Sequence, residues 1–181
     1  MRKIKIILIT GKSGSGKSTL TKKLRNTSTI AQDNYYKDIK THKKEKIKNH
    51  DVIEAIDIKS LKRDIKKIKY GPIKKRVYDF KRQSSKYEGK IYPKKYVIVE
   101  GSIIGVSREI RKLVNVHVHI EVPERIRIAR RIGRDIKRKA ISATEIKKHY
   151  QETVKKEEII NNRKITRTKP IVIKVNRIKN L

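Results

Sequence analysis

Apolar positions along the chain follow two rhythms. Near the N-terminus, Ile4, Ile6, Ile7, Leu8 and Ile9 form a short β-branched run around Lys5, which predicts a strand over 3–10. Equally compact apolar runs predict strands at 29–31, 96–101, 115–120 and 171–175. Between them the spacing lengthens to three or four residues, as in Leu20 and Leu24 or Leu61, Ile65 and Ile68, which predicts helices over 17–25 and through 61–68. Further helices are expected at 107–113, from Pro123 through Asp135, and over 143–160. Gly71-Pro72 marks a turn, after which 73–80 and a segment holding Tyr87, Ile91 and Tyr92 should pair as a small hairpin laid over the sheet. Residues 38–49 are basic and without period, and are expected to be irregular. Fully apolar strands alternating with helices predict an α/β fold built on a parallel sheet.

The first strand leads directly into Gly11-Lys12-Ser13-Gly14-Ser15-Gly16-Lys17-Ser18-Thr19. This is G-x-x-x-x-G-K-[ST] between a strand and a helix, the context a phosphate-binding loop requires. Gly11, Gly14 and Gly16 let the backbone come close enough for its N–H groups, with those of Ser13, Ser15 and Thr19, to face a polyphosphate. Lys17 reaches the terminal phosphates and Ser18 places its hydroxyl on Mg²⁺. The motif therefore predicts a nucleoside triphosphate, ATP or GTP, with Mg²⁺.

At 181 residues the chain suits a single domain spanning 1–181, and no stretch reads as a leader, a membrane span, a linker or a repeat, so a cytoplasmic protein is expected. Cysteine is absent, which excludes disulfides and thiolate metal sites. The charge is the outlier: 51 Lys and Arg against 18 Asp and Glu, formally +33. Such a field attracts polyanions, but the basic residues are spread along the chain rather than gathered, a weak footprint for nucleic acid. Non-specific polyanion binding and a homo-oligomer both stay open.

Two carboxylates stand where open α/β sheets place their chemistry, just past the C-terminal ends of strands. Asp33 follows the second strand. It either takes the proton of an acceptor hydroxyl, holds Mg²⁺ through water, or merely caps a turn. Glu100 ends an apolar strand and precedes Gly101, a place for a carboxylate that orients the metal's water shell. His117 and His119 share one side of their strand, but with no third ligand evident they read as structural or surface residues. Arg127, Arg130, Arg131 and Arg134 recur at steps of three or four on one helix, where guanidinium groups can clamp phosphoryl oxygens.

Taken together, GKSGSGKST, AQDNYYK, NHDVIEAIDI, VYDF, VIVEG, RIRIARRIGRDI and TRTK resemble, in order, the motifs of the uridine kinase family within the phosphoribulokinase and uridine kinase group. The resemblance implies a P-loop NTPase fold of the NMP-kinase type, a five-stranded parallel sheet with a nucleoside-binding hairpin at about 70–93 and an Arg-rich lid at about 124–142. It implies that Asp33 activates the ribose 5′-hydroxyl of uridine or cytidine for attack on the γ-phosphate of ATP. Tyr36, His50 and Asp51 would line the nucleoside pocket, Tyr78 and Phe80 would hold the base, and Arg131 and Arg134 would reach substrate and phosphates. A nicotinamide riboside kinase matches NHDVIEAIDI about as well, and a degenerate phosphate-loop protein that binds nucleic acid is the reading from another class.

Departures from the family fall at the base and the lid. His50 stands where the family often has Phe. Gln83 occupies the place of a base-contacting histidine and His149 that of a base-contacting glutamine, as though the two groups had exchanged positions. Past Asp135 the family continues Glu-Arg-Gly-Arg, whereas this chain reads Arg138-Lys139-Ala140-Ile141. Ile141 cannot clamp phosphate, and Lys139 offers a point charge in place of a planar fork.

Overall fold

A computed structural model describes residues 4–47, 49–139 and 142–175. Five strands form one parallel sheet in the order β2 (Thr27–Ala31), β5 (Tyr96–Gly101), β1 (Lys5–Gly11), β6 (Val116–Glu121), β7 (Ile171–Lys174). Period-two alternation splits each central strand between two layers. Ile6, Leu8, Val97 and Val99 face the larger core with Ile30, Leu61, Ile65, Ile68 and Ile104, while Ile9, Ile98, Ile120 and Val122 face the smaller one. Burial on both faces is why these strands are apolar without alternation.

Register fixes the working edge. Ile9 pairs with Glu100 and Ala31 pairs with Glu100 from the other side, while Gly11 pairs with Ile120. The chain segments that leave β1, β2 and β5 therefore emerge side by side: the phosphate loop, the 3-10 turn Gln32–Tyr35 that carries Asp33, and the end of the Glu100 strand.

Around the sheet run α1 (Lys17–Lys23), α2 (Ile39–Lys44), α3 (Ile58–Lys67), α4 (Arg108–Arg111), α5 (Glu124–Lys139), α6 (Ala143–His149) and α7 (Lys155–Thr166). Asp57 caps α3 by accepting the Ser60 N–H at 3.0 Å, and Leu61, Ile65 and Ile68 form its buried stripe. Ser142 and Glu145 form a capping box that starts α6. Among the described residues no helix is long and apolar enough to cross a membrane.

The structure corrects four expectations. Residues 39–44 form the helix α2 rather than irregular chain; the His42 N–H bonds the Asp38 carbonyl at 3.0 Å, and its side chain is the only one buried there, too little for a period to register. Helix α1 stops at Lys23, and it buries Lys17 and Thr21 while the expected apolar pair Leu20 and Leu24 is more than a third exposed. The helix expected over 143–160 continues to Thr166 through a π-turn at Tyr150–Val154. The hairpin of β3 (Ile73–Asp79) and β4 (Ser84–Ile91) is a separate two-stranded sheet, and β3 packs on the Gln32–Tyr35 turn instead of lying over the main sheet. Lys3 of the first predicted strand, and Ala140 and Ile141 of the altered lid, lie outside the described residues, as do the side chains of Arg138 and Lys139.

Candidate active site

The loop after β1 is held from behind by helix α5. Gly14 has φ of 79°, and a Cβ there would run into the Arg127 carbonyl, so the loop's glycine is set by backbone contact as well as by the turn. Arg127 donates to the Ser13 carbonyl at 3.2 Å and Arg130 to the Gly14 carbonyl at 3.3 Å, while Arg134 donates to the Ser13 hydroxyl at 3.3 Å. Gly16 precedes α1, where its carbonyl takes the Leu20 N–H at 2.9 Å. Within the loop, Lys17 is buried and donates to the carbonyls of Gly11 at 2.8 Å and Lys12 at 3.3 Å. Burial lowers its pKa from the ordinary lysine value, opposed by the carboxylates of Glu100, Asp33 and Glu158. The Ser15 hydroxyl is buried with no hydrogen-bond partner, an orphaned donor at the base of the loop. Thr19 is exposed on the first turn of α1.

Ser18 donates to Oε1 of Glu100 at 2.7 Å, which brings together two of the three residues expected at a metal. Burial pushes the Glu100 carboxyl up, with Ser18 and Lys17 holding it down and Asp33 adding like-charge repulsion. Asp33 itself is exposed on its turn and lies within electrostatic reach of both Lys17 and Glu100. Among the described residues no group of three or more His, Asp or Glu side chains could hold a metal by itself. A hydroxyl, two carboxylates and an open phosphate loop are hard oxygen donors that suit Mg²⁺ arriving with a nucleotide.

On the far side of Asp33, Tyr36 sits at the centre of a second cluster. Its ring meets His50 edge-on at 5.2 Å between centroids, Tyr78 at 5.5 Å and Phe80 at 5.8 Å, and Tyr78 meets Phe80 at 5.1 Å. Its hydroxyl is held protonated far above the ordinary tyrosine range, first by burial and then by the carboxylates of Asp33 and Asp51, with Gln32 and Arg131 pulling the other way. The carboxylates of Asp33 and Asp51 and the Arg131 guanidinium thus all lie within electrostatic reach of the Tyr36 hydroxyl. The His42 ring lies tilted against His50 at 4.6 Å and extends the aromatic wall.

Arg131 and Arg134 both reach Asp135, at 3.4 and 2.9 Å, and the Arg131 guanidinium lies over the Tyr150 ring at 5.7 Å. Arg127, in contrast, is committed: 2% exposed, it bonds the Val122 carbonyl at 3.2 Å and pairs with Glu158 at 3.0 Å. Gln83 occupies the hairpin turn with φ of 48°, and its carbonyl takes the Ile39 N–H at 3.0 Å. His149 is exposed at the end of α6. His117 and His119 turn inward, where both rings meet the Thr10 hydroxyl, at 2.8 and 2.9 Å.

Several residues that shape the site are not among the expected site residues. Gln32, fully buried, accepts the N–H groups of Ile103 at 2.9 Å and Ile104 at 3.1 Å and lies where a Cβ on Gly101 would be. It locks the Asp33 turn to the end of the Glu100 strand. Arg76 donates to Asp57 at 2.9 Å, to the Tyr36 carbonyl at 3.1 Å and to the Ser85 hydroxyl at 2.9 Å, which fastens the hairpin to the turn below it. Gln32 before the strand-end acid and the lone small residue at 101 were the available signals; Arg76 was lost among many basic residues. Beside the loop a cleft of about 360 Å³ opens, lined among others by Lys12, His119, Val122, Pro123, Arg127 and Asn162.

Comparison with known proteins adds the lineage. The family described as Phosphoribulokinase / Uridine kinase matches residues 6–177. A uridine kinase of Clostridium tetani is 34% identical over 161 residues, 83% of this chain and 77% of its own length. One from Chlamydia pneumoniae is 36% identical over 161 residues, 83% of this chain and 72% of its own. Among solved structures, a candidate fructose transport system kinase from Silicibacter sp. TM1040 superposes with a TM-score of 0.73 at 18% identity, covering 92% of this chain and 86% of that one, a likeness of fold.

Proposed function

The chain belongs to the phosphoribulokinase and uridine kinase family, whose members are kinases acting on an alcohol acceptor, and from that premise we propose that it transfers the γ-phosphate of ATP to the 5′-hydroxyl of uridine or cytidine. The observation that carries the reading is the ring cluster of Tyr36 with His50, Tyr78 and Phe80, within electrostatic reach of Asp33, Asp51 and Arg131, on a chain that joins Ser18 of the phosphate loop to Glu100. A flat base suits an aromatic wall, and ribose hydroxyls suit a carboxylate with a guanidinium nearby.

In this reading Asp33 accepts the proton of the 5′-hydroxyl as its oxygen attacks the γ-phosphorus, while the leaving β-phosphate oxygen stays in the loop's amide cradle. Lys17 exchanges the Gly11 and Lys12 carbonyls for phosphate oxygens. Arg131 and Arg134 exchange Asp135 for the equatorial oxygens of the phosphoryl group in flight. The buried Ser15 hydroxyl gains the partner it lacks. Ser18, Glu100 and Asp33 would hold Mg²⁺, and the ion would supply neutralisation of the negative charge on the phosphates. The cleft beside Lys12 and Val122 is of a size to take the donor's base.

The test is direct. Purified protein with Mg-ATP is offered uridine, cytidine, nicotinamide riboside and a 5′-hydroxyl oligonucleotide in turn, and ADP release is followed. Uridine or cytidine should stimulate release, with Asp33→Asn and Lys17→Ala each reducing it by about 10²-fold or more. Stimulation by none of the four would remove the enzyme reading, and stimulation by the oligonucleotide alone would move it to nucleic acid.

A further inference from the structure

Helix α7 turns Glu158, Asn161 and Asn162 inward at i, i+3 and i+4, one face of the helix, and each is bonded to a different part of the site. Glu158 Oε1 accepts the Ser13 N–H of the phosphate loop at 3.1 Å, while Oε2 takes Arg127 at 3.0 Å and the Tyr150 hydroxyl at 3.2 Å. Asn161 donates its amide to the Asp51 carbonyl at 2.9 Å, on the loop that carries the acceptor-side carboxylate. Asn162 meets His119 at 2.9 Å, and His119 meets Thr10, which immediately precedes the loop. Glu158 and Asn161 are both more than nine-tenths buried.

These contacts surround a cavity of about 10 Å³, whose other walls include Lys12, Asp51, Ser102 and Ile103. That is space for about one water. Donor loop, acceptor loop and strand end are therefore packed around one turn of α7 with little slack, and a hydrogen bond to a buried side chain must break before either loop shifts alone.

We propose that Glu158 and Asn161 are positioning residues that couple the two halves of the active site, so that ordering of the phosphate loop by nucleotide strengthens nucleoside binding through α7. Linkage makes the effect reciprocal: nucleoside strengthens nucleotide binding by the same factor. The proposal rests on the nucleoside kinase reading above. It assigns to a polar helix face a role in catalysis that no phosphate-loop motif contains.

The experiment is calorimetric titration of uridine into the full chain, with and without saturating β,γ-imido-ATP and Mg²⁺. In the wild type the analogue should tighten uridine by about fivefold or more, the lower end of ordinary coupling factors. Asn161→Leu, and the milder Asn161→Ser should the first fold poorly, are expected to bring that ratio to within about twofold of one. They should also raise KM for uridine measured at saturating ATP while kcat changes less. Glu158→Gln should weaken the ratio from the donor side, and Lys164→Ala, on the exposed face of the same helix, should leave it unchanged. A wild-type ratio near one, or an unchanged ratio in Asn161→Leu or Asn161→Ser despite lower affinity for both ligands, overturns the coupling and leaves the kinase reading standing. Failure of the wild type to bind uridine or cytidine at all overturns the reading and the coupling together.

Discussion

The Ser18 hydroxyl and the Glu100 carboxylate, 82 residues apart in the chain, meet at 2.7 Å across the mouth of the phosphate loop. Burying that carboxylate is costly, and its pKa is pushed up by the burial. The Ser18 hydrogen bond and the Lys17 and Lys22 charges offset that cost only in part.

Glu100→Gln should therefore separate activity from stability. In the proposed reading Glu100 orients a metal's surroundings, and its loss should lower kcat/KM by about 10- to 100-fold. The melting temperature should stay level or rise, because a buried charge is removed while the hydrogen bond to Ser18 can persist. Phosphorylation assays at several Mg²⁺ concentrations, with a thermal melt alongside, check both halves.

Arg76→Met tests the fastening of the hairpin. The guanidinium is 8% exposed and bonds Asp57, the Tyr36 carbonyl and Ser85. Asp57 is 29% exposed and partly rehydrates, so loss of these bonds should cost about 1–3 kcal/mol, visible in urea unfolding. Since Tyr78 and Phe80 ride on the same strand and its turn, KM for the nucleoside should rise more than KM for ATP.

His117 sets an acid limit on stability. Burial first, then the neighbouring His119 and Arg111, lower its pKa from 6.5 to about 4. The folded protein thus binds fewer protons than the unfolded chain between those values. Stability from this site is complete above about pH 6.5 and drains away as pH falls toward about 4. The melting temperature should decline over that window, and His117→Asn, which cannot take up the proton, should flatten the decline.

Gln83 and His149 provide a test of base recognition. If the two groups have exchanged positions, Gln83→His or His149→Gln alone should each raise KM for the pyrimidine nucleoside, and the double change should recover part of the loss. Additive losses in the double-mutant cycle would remove the exchange.

Much of the framework could be read from local pattern, and the reasons are physical. The phosphate loop declares itself because its glycines, lysine and serine are adjacent in sequence and its strand is buried on both faces. Asp33 and Glu100 stand at strand ends, where the sheet geometry places chemistry whatever else the chain does. The rest depends on partners far along the chain. Glu158 and Asn161 look like a solvated helix face until Ser13 and Asp51 are brought to them, 145 and 110 residues away. Arg76 looks like one cation among many until Asp57 and the Tyr36 carbonyl surround it. Arg127 was legible as part of an arginine row, yet its burial against Glu158 makes it a brace, and only Arg131 and Arg134 keep an ion partner they can trade.

The contact of Gly14 with the Arg127 carbonyl has a mechanical meaning. The first turns of α5 and the phosphate loop touch backbone to backbone, with no side chain between them to act as a cushion. Any widening of the loop must drag that end of the helix with it. The loop and the start of the helix that carries Arg131 and Arg134 are therefore bound to shift together, as one body.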